Sequence, residues 1–205
     1  MTVGIGVPTV GRRAISDGYL GHATRPTRLH VQFDADRLGP GRARNQCIGH
    51  LYDAGCDLIV LMDDDCYPVA DGWQDYLLDG MAARGLHAVN MDDPRTGLPV
   101  GCFLALTLHA VNTLGYFSAA FRGYGFEDVH YLHRIVRSGV NGTAGNATLE
   151  RLHEFVLSED VMKPASATEY ANMTRAEKDE AIARNLPIFE REMADPRNYR
   201  NREGL

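Results

Sequence analysis

Short apolar runs alternate with helix-spaced polar segments along the first two thirds of the chain. Residues 2–7 read as a strand that Pro8 is expected to end. Residues 28–33 alternate apolar and polar positions, as a strand does. Residues 41–54 place Ala43, Cys47, Leu51 and Ala54 at helical spacing, with Gly55 as the stop. Leu58, Ile59, Val60, Leu61 and Met62 form an unbroken apolar run of buried-strand length. Further strands are expected over 86–91 and 100–107. Helices are expected over 12–20, 72–84, 109–114 and 127–137. Repeated strand–helix units predict an α/β fold in which a mostly parallel central sheet is flanked by helices.

The pattern changes after about residue 139. A turn-rich link covers 139–146, and one last strand is expected over 148–155. From Thr174 the chain is strongly helical, and Thr174-Arg175-Ala176-Glu177 fits a capping box. Pro187 is expected to kink or end that helix, and the tail 196–205 is polar and basic. The organisation is read as a catalytic domain over 1–157, with a helical extension over 158–205 packed on it or trailing from it.

Composition narrows the function classes. A net charge of −6 argues against a broad, sequence-independent grip on nucleic acid. No apolar run is long enough to span a bilayer, and the N-terminal residues enter a strand without a leader pattern. Cys47, Cys56, Cys66 and Cys102 form no CxxC pair and read as buried thiols. A reducing, cytoplasmic setting is expected.

The chemistry concentrates where the apolar run 58–62 ends, at Asp63, Asp64 and Asp65. Adjacent carboxylates repel and are costly to bury unpaired, so a cation is the natural partner. Hard ions such as Mg²⁺ or Mn²⁺ take oxygen ligands and complete their shell with substrate phosphates. In open α/β sheets, ligands bind outside the carboxyl ends of the strands, where this run falls. A solvated acidic loop is the bland alternative. Two further segments add to the picture. Gly39-Pro40-Gly41-Arg42-Ala43-Arg44-Asn45 opens a helix with spare N–H groups and arginines, suited to phosphate. Gly123-Tyr124-Gly125-Phe126-Glu127-Asp128 delivers an acidic pair to a helix start; on its own that pair would simply complement the helix dipole.

Taken in order with Val7-Pro8-Thr9 and Asp63-Asp64-Asp65-Cys66-Tyr67-Pro68, these motifs resemble glycosyltransferases of the GT-A fold, closest to family 2. The resemblance covers residues 2–155. It implies donor contacts from Pro8, Thr9, Asp34 or Asp36, Arg44, Asn45, Asp63 and Asp64. It implies metal contacts from Asp65, Asp63 and a late histidine, His153, at the end of the last strand. The acidic pair Glu127 and Asp128 would be catalytic, Asp128 as the base. His130 stands where the family often carries a second acid; it competes with His153 for the metal and otherwise leans toward the acceptor. Trp73 reads as packing or as a sugar-stacking surface on the acceptor side.

The implied reaction is metal-dependent, inverting transfer from a nucleotide-diphosphate sugar to a hydroxyl. The acceptor could be a saccharide, a protein, a lipid carrier or a modified nucleobase. Two other readings stay open: a sugar nucleotidyltransferase, for which Arg12 and Arg13 offer a basic loop, and a degenerate nucleotide-sugar-binding module. Gly4-Ile5-Gly6 lacks the third glycine of a dinucleotide loop, and Pro8 intrudes.

Overall fold

The computed structural model describes residues 1–162 and 174–195. In chain order the elements are β1 (Val3–Thr9), α1 (Gly18–Gly21), β2 (Thr27–Phe33), α2 (Pro40–Asp53), β3 (Leu58–Met62), β4 (Cys66–Pro68), α3 (Trp73–Arg84), β5 (Ala88–Asp92), β6 (Pro99–Thr107), α4 (Leu108–Leu114), α5 (Glu127–Ser138), β7 (Ala147–Thr148), β8 (Val156–Ser158), α6 (Glu159–Met162) and α7 (Arg175–Ala194). Six strands form one sheet in the order β2-β1-β3-β6-β5-β7. β6 runs antiparallel to both of its neighbours, and the other pairs are parallel. β4 and β8 form a separate antiparallel ribbon beside the end of β3. The expected boundary at 157/158 therefore falls inside a paired strand.

Every residue of β3 is buried, because apolar layers cover both faces of the sheet. On one face Val3, Ile5, Val60, Met62 and Phe103 pack with Trp73 and Leu77 of α3. On the other, Ile59 and Leu61 pack with Cys47 and Ile48 of α2, Ala110 of α4, and Tyr131 and Ile135 of α5. Each such aliphatic side chain contributes about 1.5–3 kcal/mol through burial. Gly6 explains why the strand carries a glycine there: a Cβ would lie 2.6 Å from Cys47 Cβ. The glycines of β1 serve close packing of α2, not a dinucleotide loop.

The sheet also shapes the site. β1 and β3 pair only from Val3↔Leu58 to Gly6↔Leu61, whereas β1 stays paired with β2 through Thr9↔Phe33. β3 ends at Met62, and Asp63–Asp65 follow it beside the end of β1. Pro8 therefore lies within β1 instead of ending it, since no β3 residue pairs with it there.

Three other expectations are corrected. The helix expected over 12–20 shrinks to Gly18–Gly21. The segment before it turns at Gly11 (φ 77°), and Arg13 ties it to Glu159. The strand expected over 148–155 is instead β7, a 3₁₀ turn at Leu152–Glu154 and then β8. α7 does not end at Pro187 but continues to Ala194. The carbonyl that Pro187 leaves without its helical donor belongs to exposed Ala183, where water can satisfy it. The capping box at Thr174 forms as read, with Glu177 N–H donating to Thr174 Oγ1 and Thr174 N–H to Glu177 Oε2.

Candidate active site

The three aspartates that end β3 have three different environments. Asp63 extends the β3–β6 pairing by donating its N–H to the Cys102 carbonyl (2.9 Å), and its own carbonyl accepts from Tyr19 O–H (3.0 Å). Asp64 accepts from Thr9 Oγ1 (2.6 Å), which ties the end of β1 to the acidic run. Asp65 is buried and accepts from Ser158 Oγ of β8 (2.9 Å). Burial raises the pKa of the Asp63 carboxyl; Arg44 opposes that shift, and Asp65 and Asp64 add to it.

Arg44 joins the three parts of the site. It projects from the second turn of α2 and is 5% exposed. Its Nη2 donates to Asp63 Oδ1 (2.7 Å) and to the Gly101 carbonyl at the start of β6 (3.2 Å). Its Nη1 donates to Glu127 Oε1 at the start of α5 (3.3 Å). Burial works against the guanidinium charge, but Asp63, Glu127 and Asp128 outweigh it and hold the group cationic. Glu127 is pushed up by burial, with Arg44 opposing and Asp128 reinforcing. Its Oε2 is buried without a hydrogen-bond partner among the described residues.

Asp128 faces differently from Glu127. It is half-buried, its Oδ1 accepts from Val129 N–H (2.8 Å), and its carboxyl lies against Gly101 so closely that a Cβ there would overlap it. A water-sized cavity of about 10 Å³ lies beside Arg44, Gly101, Phe117 and Asp128. The loop delivering the pair is strained at Phe126, whose φ of 73° is a left-handed conformation for a bulky residue. That conformation costs on the order of 1–3 kcal/mol and needs neighbours to hold it.

Several of the expected site residues have structural partners or sit elsewhere than read. Asn45 is fully buried; its amide donates to the Phe117 carbonyl (2.9 Å) and accepts from Phe117 N–H (2.7 Å), so it clamps the loop before α5. The Asp34 carboxylate accepts from Leu38 and Gly39 N–H (both 2.9 Å), closing the turn into α2. Asp36 is exposed on that turn, and Pro8 lies in β1. Trp73 is fully buried in the core, so a stacking role is ruled out by packing. His153 occupies the middle of the 3₁₀ turn, half-buried, and is not at a strand end. The residue that β8 brings to Asp65 is Ser158, because Cys66 pairs with Ser158 across the ribbon.

His130 faces α7. It is 1% exposed, and its Nε2 lies 3.2 Å from Glu192 Oε2. Burial, with Arg134, Arg137 and His133, lowers its pKa to about 4, so it is neutral at pH 7. Between about 4 and the ordinary 6.5 the unfolded chain binds the extra proton. Its stability contribution is therefore complete above 6.5 and is lost as pH falls toward 4. The stability difference between wild type and His130→Phe should shrink by at most about 3 kcal/mol on going from pH 7 to pH 4, by denaturant titration. A pH-independent difference would show that His130 titrates normally.

Glu159, not singled out in the sequence, joins Arg13 and Asp64 at the site. A cavity of about 200 Å³ is lined by Arg13, Ala14, Ser16, Asp64, Tyr67 and Glu159. Arg13 Nη1 and Tyr67 O–H both donate to Glu159 (2.8 Å each), and Arg13 Nε lies 3.9 Å from Asp64. The available signal was the acidic Glu159-Asp160 pair after an apolar run. It carried no weight until β8 paired with β4.

Among the described residues, no three His, Cys, Asp or Glu side chains form a preassembled metal set. The donor chemistry still suits a hard divalent ion. Among the described residues, Asp63, Asp64, Asp65, Glu127 and Asp128 outnumber the Arg44 and Arg13 cations beside them, and a Glu127 oxygen is left unpartnered. An ion bound by one or two carboxylates and finished by diphosphate oxygens needs no preassembled cage.

No family model matches the sequence, and no curated protein matches it. Solved structures match by shape. Drosophila β-1,4-galactosyltransferase 7, a mutant in complex with manganese, UDP-Gal and xylobiose, superposes with a TM-score of 0.59 at 15% identity over 88% of this chain and 79% of its own. The mannosyltransferase PcManGT of Pyrobaculum calidifontis, with GDP-Man and Mn²⁺, gives 0.54 at 17% identity over 72% and 53%. Glucosyl-3-phosphoglycerate synthase of Mycobacterium tuberculosis, with Mn²⁺, UDP and glucosyl-3-phosphoglycerate, gives 0.50 at 14% identity over 72% and 68%. In its mostly parallel sheet flanked by helices and in these superpositions, the chain carries the GT-A fold of glycosyltransferases.

Proposed function

We propose that this chain is a metal-dependent, inverting glycosyltransferase that moves a sugar from a nucleotide-diphosphate sugar to a hydroxyl acceptor. The observation that carries the reading is the Arg44 hub, which gathers Asp63 of the acidic run and Glu127, beside Asp128, at one sheet edge. The reading is further supported by neighbours of the same fold that were solved with UDP-Gal or GDP-Man and manganese.

Asp65 and Asp63 are the residues that would hold Mn²⁺ or Mg²⁺. When bound, such an ion supplies Lewis-acid stabilisation to the diphosphate that leaves. Thr9 fixes the Asp64 rotamer, and Ser158 fixes that of Asp65, so the run presents one geometry to the donor. Asp128 takes the proton of the acceptor hydroxyl as that oxygen attacks the anomeric carbon on the face opposite the leaving group, which inverts the centre. Glu127, held by Arg44, keeps the loop in register, so of the acidic pair only Asp128 has the accessibility a base needs. Among the described residues, no helix is long and apolar enough to cross a membrane.

Incubation with a panel of nucleotide-sugars and Mn²⁺ tests the reading. Release of nucleoside diphosphate supports transfer. Pyrophosphate release would indicate a nucleotidyltransferase, and neither product would indicate a binding module. Asp65→Ala should abolish the Mn²⁺-dependent gain in donor affinity, measured by titration calorimetry. Transfer that persists unchanged in EDTA would remove the metal from the mechanism.

A further inference from the structure

Helix α7 contributes no residue to the chemistry proposed above, yet it grips the loop that presents the acidic pair. Asn185 is fully buried, which is unusual for an amide on a helix whose neighbouring positions are mostly exposed. Its Nδ2 donates to the carbonyls of Arg122 (3.2 Å), Tyr124 (3.0 Å) and Gly125 (3.1 Å). Its Oδ1 accepts from Arg122 N–H (3.3 Å). One side chain thus meets four backbone groups of the loop, its two N–H hydrogens shared among three carbonyls, and among the described residues no strand pairs with that loop.

The rest of the helix repeats the grip. Arg184 Nη2 donates to the Arg122 carbonyl (2.7 Å), and Lys178 Nζ lies 5.1 Å from the centre of the Tyr124 ring. Phe189 stacks on strained Phe126, with ring centres 4.9 Å apart. Farther along, Glu192 accepts from Ser118 Oγ (2.9 Å) and approaches His130, and the Met193 carbonyl accepts from Arg137 Nη2 (2.6 Å). The contacts bracket Glu127 and Asp128: the 122–126 loop on one side, and His130 and Arg137 of α5 on the other.

We propose that Asn185 is a positioning residue and that α7 is a clamp setting the orientation of Asp128. The inference rests on the proposed role of Asp128 as base. Phe126 holds a left-handed backbone immediately before the acidic pair, and that conformation persists only while its surroundings enforce it. With the amide removed, the loop relaxes toward ordinary φ values and Asp128 swings off Gly101. A displacement of about 1 Å at a reacting group can cost on the order of 10² in rate.

Asn185→Ala and the isosteric Asn185→Asp, which lacks the donor N–H groups, should both lower kcat by about 10- to 100-fold while donor affinity changes less than about threefold. Amide hydrogen exchange at 122–126 should quicken in both. Leu186→Ala, at a neighbouring exposed position, should change neither quantity. If a buried change at 185 prevents folding, Arg184→Ala, at an exposed residue, should still quicken exchange at 122–126 and lower kcat more modestly. The clamp is overturned if these variants lose thermal stability while kcat of the folded protein and exchange at 122–126 stay at wild-type values. Exchange does not depend on the chemistry. Quickened exchange in Asn185→Ala beside full turnover in Asp128→Asn would therefore leave the clamp standing and remove the base assignment instead.

Discussion

Asp128→Asn should fold, bind donor with near wild-type affinity, and turn over at least about 10² more slowly. The substitution keeps the side chain's size beside Gly101 and leaves an oxygen for Val129 N–H, so the loss reads proton acceptance and not shape. Glu127→Gln should behave differently. Glu127 is buried against Arg44, and its neutral amide weakens the hub, so the expected signature is lost stability with a smaller fall in kcat for the folded enzyme. Near wild-type turnover in Asp128→Asn would sink the assignment. A fall confined to Glu127→Gln would move the base one residue.

Arg44→Ala should cost roughly 3–5 kcal/mol of stability, the range for removing one partner of a buried ionic cluster. The resemblance to family 2 implied a donor-contacting arginine, for which the expected signature is a raised donor KM. The geometry points instead to folding: the guanidinium is 5% exposed and already bonded to Asp63, Gly101 and Glu127. Arg44→Lys should recover little, because one ammonium cannot span two carboxylates and a carbonyl with the fork of a guanidinium. Pairing Arg44→Ala with Glu127→Gln should restore part of the loss, since it neutralises a stranded carboxylate, and a double-mutant cycle measures that coupling. Unchanged melting with a raised donor KM would return Arg44 to the phosphate.

The elements legible in the sequence were those whose signal is local. The apolar run 58–62 has the length of a buried strand and forms one, and the capping box at Thr174 satisfies its helix start from within four residues. The elements misread depended on distant partners. Pro8 stays in a strand because no β3 residue pairs with it, a fact of pairing and not of local propensity. Residues 66–68 and 156–158 are too short to announce themselves, and they become strands only against each other.

The site divides along the same line. The chain by itself determined that carboxylates would crowd the end of β3 and the start of α5. Strand length, the glycines of the 123–125 loop and the adjacency of Asp63, Asp64 and Asp65 are written in consecutive residues. Only the tertiary structure decided which of these groups stay open to solvent. Arg44, Asn45, His130 and Trp73 are polar or aromatic residues in suggestive places, and burial removed each from solvent by packing it against residues far away in sequence. Ser158 and Asn185 acquired their places through partners 93 and 60–63 positions distant. Sequence periodicity fixes which side of an element is apolar. What a polar side chain meets across the core is fixed by packing between elements, and no local pattern encodes that.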